Sequence, residues 1–266
     1  MIRHILYPAM CLAAMHLAAG AIRAADAPAT QPAGFILRGH VAISGGIDLA
    51  KPDLTRAVVY LDSDPALDAA PLPPGSATVA QKNKAFVPDF VAVPRGTQVE
   101  FPNWDHISHN VFSRSAAAPA FDLDRYPYGQ SKTQTFSKVG VVQIFCNIHP
   151  YMKAIVFVTP NVYFTRAAAD GSFQINNIPA GRYQASVWQE RCGTQHQAVE
   201  IGGATPAEIT FNLSEDRDSI LSNDPPARGG AYGVERGLGI KREKLGLPVN
   251  TESHPAPTTE PCPLCP

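Results

Sequence analysis

Cys146-Asn147-Ile148-His149-Pro150-Tyr151-Met152 is the stretch that decides how this chain is read. A thiol, an imidazole and a thioether fall within seven residues. The apolar run Val141-Val142-Gln143-Ile144-Phe145 precedes them and the run at 153–158 follows. Both runs are short and β-branched, which is strand patterning. A short loop between two strands can aim three soft side chains at one point. Upstream, Phe101-Pro102-Asn103-Trp104-Asp105-His106-Ile107-Ser108-His109-Asn110-Val111-Phe112 ends one strand and begins another. His109 can supply a second imidazole there.

Two His, one Cys and a weak axial Met form the ligand set of a blue-copper electron-transfer site. The residue types suit that chemistry. Thiolate stabilises Cu(I), imidazole accepts both redox states, and a weakly held Met lets the geometry change little between them. Catalysis would need an open coordination position and substrate groups, and the sequence offers neither. The expected metal ligands are therefore His109, Cys146, His149 and Met152, with one copper ion per chain. His106 is read as a surface or loop residue.

Outward from this centre the chain is punctuated by 25 Pro and 20 Gly, which disfavours long helices. Phe35-Ile36-Leu37, Val41-Ala42-Ile43, the run at 57–61, Phe90-Val91-Ala92-Val93 and Thr97-Gln98-Val99-Glu100-Phe101 read as strands, with Pro94-Arg95-Gly96 as a turn. Residues 63–84 read mostly as a loop insertion. A β-sandwich over 34–159 is expected. After Pro160, five further strands between 162 and 213, with an Asp170-Gly171 hairpin signal, predict a smaller β-sandwich over 160–213. Trp188 and Phe173 are assigned to its core. Residues 214–266 lose periodicity and are expected to be extended or disordered.

Residues 1–25 read as a signal peptide: Arg3 and His4, an apolar run over 5–21, then small residues at Ala19-Gly20-Ala21. Residues 26–33 form a disordered leader. The mature chain is expected to be periplasmic or secreted, with no stable membrane insertion. Lys and Arg total 22 against 23 Asp and Glu. This balance excludes a strongly basic nucleic-acid binder. Five cysteines are too few for a disulfide-dense scaffold. Cys262-Pro263-Leu264-Cys265 is a CxxC with no flanking strand or helix, and is read as a local disulfide or a thiol pair. The roles of Cys192, Cys262 and Cys265 stay open, as does the solvated run Lys241-Arg242-Glu243-Lys244.

The set Phe86-x-Pro88, Val93-x-x-Gly96-x-x-Val99-x-Phe101-x-Asn103-x-Asp105, His109-Asn110-Val111 and Cys146-x-x-His149-x-x-Met152 resembles the cupredoxin family, in its plastocyanin/amicyanin-like branch. The resemblance spans about residues 35–158. It implies a Greek-key β-sandwich and copper ligation by His109, Cys146, His149 and Met152. It also implies that Asn110 ties the two ligand loops together by hydrogen bonds. Asp170-Gly171-Ser172-Phe173-x-Ile175-x-x-Ile178-Pro179-Ala180-Gly181-x-Tyr183 is similar to carboxypeptidase-regulatory-like, transthyretin-like domains. The combination looks like bacterial methylamine-utilisation proteins, which implies a link to amine oxidation. A redox partner is expected to dock near His149 and Tyr151. Two rival readings are a non-redox copper carrier and an extracellular β-sandwich interaction module.

Overall fold

The computed structural model describes residues 34–44, 52–73, 75–115 and 120–215. The expected signal peptide, leader, C-terminal tail and Cys262/Cys265 pair lie outside the described residues. Seventeen strands follow in chain order: β1 (Phe35–Ser44), β2 (Val58–Leu61), β3 (Ala77–Thr78), β4 (Ala80–Lys82), β5 (Ala85–Val87), β6 (Phe90–Pro94), β7 (Gln98–Pro102), β8 (His109–Ser113), β9 (Phe121–Tyr126), β10 (Ser131–Thr135), β11 (Gly140–Phe145), β12 (Lys153–Thr159), β13 (Phe164–Arg166), β14 (Ser172–Ile178), β15 (Gly181–Gln189), β16 (Gly193–Ile201) and β17 (Ala207–Ser214). One helical turn, α1 (Pro65–Asp68), lies between β2 and β3. Asp64 caps it through Ala66 N–H, and Pro65 sits in its first turn, where a missing N–H costs nothing.

Two sandwiches share these strands. One joins the sheet β6-β12-β11-β8-β9 to the sheet β10-β7-β3, with the β4-β5 hairpin beside them. Val99, Phe101, Val111, Phe136, Val142, Ile144, Val156 and Val158 are among the residues that fill its core. At Pro94-Arg95-Gly96 the expected turn forms, with Gly96 at φ +94°, where a Cβ would strain the backbone.

The other sandwich joins β14-β1-β17 to β13-β2-β15-β16. Here strand pairing departs from the expected boundaries of 34–159 and 160–213. β1 lies antiparallel to β14 and parallel to β17, and β2 lies between β13 and β15. Leu37, Val41, Val59 and Leu61 are fully buried in one core with Ile175, Ile178, Val187, Phe211 and Leu213. The physical reason is area. Five strands over about fifty residues cannot cover their own apolar faces, and β1 and β2 complete the layers. Residues 63–84 also depart from a loop insertion. They hold α1, β3 and β4, and Leu67 is buried in the second core.

β12 explains how the two sandwiches meet. It is buried on both faces, so its sequence Lys-Ala-Ile-Val-Phe-Val-Thr does not alternate. Ala154, Val156 and Val158 enter the first core. Ile155 and Phe157 join Val58, Tyr60, Phe90 and Trp188 in a third apolar cluster. Trp188 stacks on Phe157 at 4.7 Å and on Phe90 at 6.0 Å between ring centroids. Such pairs add about 0.5–1.5 kcal/mol each beyond burial. Arg56 closes the edge, bonding Asp89 at 3.1 Å and Glu190 at 2.9 Å. Trp188 and Phe173 are buried, as expected of core residues.

Candidate metal centre

His109 opens β8, Cys146 directly follows β11, and Met152 directly precedes β12. β11 lies between β8 and β12, so these strand ends come together at one end of the sandwich. His109, Cys146 and Met152 are all buried, while His149 on the intervening loop is half-buried. One ligand atom each from His109, Cys146 and His149 lie within 4.8 Å of one another. Nδ1 of His109 is 3.9 Å from the sulfur and 3.0 Å from Nδ1 of His149. Met152 belongs to the same core cluster as Cys146, and its N–H donates to the His149 carbonyl at 2.9 Å.

The two ligand-bearing loops are tied by Asn110. Its Oδ1 accepts from Asn147 N–H at 2.7 Å, and its Nδ2 donates to Asp122 at 3.1 Å. The expected bond between loops is therefore present. His106 stands apart from the three converging donors and stacks on Tyr128 at 4.2 Å.

Burial lowers the pKa of His149, and the neighbouring His109 and Lys84 add to the effect. The ring is thus neutral near pH 7, the form that binds metal. A residue that the motif contains but sequence reasoning gave no role stands behind His109. Asp105 Oδ2 lies 2.9 Å from His109 Nε2. Its only sequence signal is a carboxylate four positions before the His. Burial opposes ionisation of Asp105, but the N–H of Lys84, the His109 ring and the N–H of Asn83 outweigh it. Its pKa is lowered overall.

The donor set can be tested for fit. Two imidazole nitrogens and one sulfur converge within reach of a single ion at bonds of about 2.0–2.3 Å. The far nitrogen of His109 meets the Asp105 carboxylate, and its Nδ1 faces the Cys146 sulfur and the His149 ring. A thiolate with two imidazoles suits a soft-to-borderline metal and disfavours hard cations. Residues 75–159, about a third of the chain, match the family described as copper binding proteins, plastocyanin/azurin family. The segment has a cupredoxin fold, and its cofactor is copper.

Solved structures give partial likenesses. A purple cupredoxin from Nitrosopumilus maritimus is 22% identical over 32% of this chain and 100% of its own, with a TM-score of 0.29. A mutant of amicyanin, in the Cu(I) form, is 22% identical over 38% of this chain and 97% of its own, with a TM-score of 0.30. A copper-containing nitrite reductase from Thermus scotoductus is 28% identical over 46% of this chain and 29% of its own, with a TM-score of 0.32. Comparison with curated protein sequences gave no match.

Outside the copper end, Ser186, His196 and Asp62 also meet. The Ser186 hydroxyl lies 2.6 Å from both Asp62 Oδ1 and His196 Nδ1. Ser186 is fully buried, so its hydroxyl is not exposed on the surface. No helix among the described residues is long and apolar enough to cross a membrane.

Proposed function

We propose that this chain is an exported electron carrier that holds one copper ion between His109, Cys146, His149 and Met152. The observation that carries the reading is the convergence of one ligand atom each from His109, Cys146 and His149 within 4.8 Å. The Cys146 thiolate, the His109 and His149 imidazoles and the Met152 thioether would hold the ion, and the thiolate would supply the electronic coupling. Burial of three of the four excludes water and keeps the geometry fixed as charge changes. Asn110 holds the two ligand loops in register. Copper supplies the one-electron couple.

His149 is the exit for the electron. Its ring lies 5.9 Å from that of Tyr151, which is 64% exposed. Among the described residues, five of the eight exposed large apolar side chains sit on the loops at this end: Trp104, Ile107, Tyr128, Ile148 and Tyr151. An apolar face of this kind suits a short-lived redox encounter. The partner docks there, near His149 and Tyr151. Its assignment to amine oxidation rests on the resemblance to methylamine-utilisation proteins alone.

In domain terms, the copper unit is an insertion near residues 75–159 between the halves of a seven-stranded sandwich. That sandwich, similar to carboxypeptidase-regulatory-like domains, acts as a scaffold and not as a catalyst. Residues 1–25 direct export. Adding Cu(II) to the purified chain should give an intense blue band with one copper per chain, and Cys146→Ser should abolish the band while the fold persists. A Cys146→Ser protein that stays blue would contradict the assignment.

A further inference from the structure

The β4-β5 hairpin has no evident part in the copper site, yet its tip reaches the site through one carboxylate. Asn83 and Lys84 form that tip, both at positive φ (54° and 55°). This is the two-residue turn that normally selects Asn-Gly, so a Lys at the second position carries backbone strain. The strained conformation turns two successive N–H groups toward Asp105. Asn83 N–H donates to Oδ1 at 2.6 Å and Lys84 N–H to Oδ2 at 2.7 Å. Oδ2 also meets His109 Nε2 at 2.9 Å. Asp105 is fixed from its own side too, since its N–H donates to Asn103 Oδ1 at 2.9 Å. Asn103 is fully buried, and its Nδ2 donates to the carbonyls of Ile107 and Tyr126. Trp104 N–H closes the arrangement on the Gln81 carbonyl at 2.8 Å.

From this geometry we infer that Asp105, clamped by the Asn83-Lys84 hairpin tip, is a positioning residue that fixes the tautomer of His109 and biases the copper couple toward Cu(II). The inference rests on the copper reading proposed above. A carboxylate that accepts a hydrogen bond at Nε2 holds the ring proton there, so the Nδ1 lone pair faces Cys146 and His149. It also places a negative charge one imidazole away from the metal site. That charge favours the more highly charged oxidation state. The two backbone donors matter because a free carboxylate would rotate. With both oxygens tied down, the ring is held in plane and in place.

The test uses the full chain with Asp105→Asn and Asp105→Glu, and two readouts. The first is the 15N chemical shift pair of the His109 ring in metal-free protein at pH 7. Wild type should show a single Nε2–H tautomer, and Asp105→Asn a mixture of tautomers or the Nδ1–H form. The second is a redox titration of the copper-loaded proteins. Asp105→Asn should raise the Cu(I)/Cu(II) ratio at a fixed potential about tenfold, equivalent to about 59 mV for one electron. Asp105→Glu, which keeps the charge, should recover part of that shift. A wild-type His109 in the Nδ1–H form would overturn the inference. So would an Asp105→Asn protein that keeps both the wild-type ring shifts and the wild-type potential. Failure of the copper reading looks different: no blue copper binds, yet the ring tautomer still follows residue 105.

Discussion

At the residue scale, buried polar groups of the chain are held by specific partners, and Tyr60 is an instance with a measurable consequence. It is 8% exposed, and in the β2–β15 register it sits opposite Ser186. Burial, with the Asp62 charge adding, pushes its phenol from 10 up to about 12. The folded chain keeps this proton where the unfolded chain loses it. The associated stability is therefore whole below pH 10 and is lost as pH rises toward 12. The loss amounts to about 2–3 kcal/mol. Tyr60→Phe should flatten the fall in the urea midpoint between pH 9.5 and 12. A variant curve as steep as that of wild type would rule this out. The proposed copper ligands could be picked out in sequence because three of them lie in one seven-residue loop and His109 precedes a recognisable Asn-Val. Asp105 was in plain view four residues from His109, but its role was not. The hairpin donors that make it rigid come from 83 and 84, and only the fold brings them near.

At the scale of elements, the longer apolar strands were legible and their partners were not. Alternation marks β17 clearly, with Ile209, Phe211 and Leu213 inward and Glu208, Thr210 and Asn212 outward. Nothing local says that β17 runs parallel to β1 across more than 160 residues. Parallel pairs have no hairpin to announce them. β9 was missed altogether. Its sequence Phe-Asp-Leu-Asp-Arg-Tyr carries three charges, which an exposed edge strand of the sheet tolerates. The unbroken apolar run of β12 matches its burial on both faces but does not say what covers each. Trp188 is the cover, stacked on Phe157 and Phe90. Trp188→Ala should cost about 3–5 kcal/mol. The loss falls on the contact between sandwiches, so calorimetry should show one unfolding transition become two. A single transition at the wild-type temperature would contradict this role.

At the scale of the whole molecule, a cupredoxin unit is anchored on a seven-stranded sandwich whose strands come from both sides of it in sequence. The first core takes in Cys146 and Met152, and β12 links that core to the Trp188 cluster. This arrangement leaves the copper end, with His149 and Tyr151, facing away from the strand ends at Thr159 and Pro94, which pair at the other end of the sheet. The central claim is that the centre cycles one electron, and a spectroelectrochemical titration of the copper-loaded chain tests it most directly. The account predicts a blue band that bleaches and returns over repeated cycles with a one-electron slope. A copper-loaded chain that loses its metal on reduction, or shows no reversible couple, would contradict it.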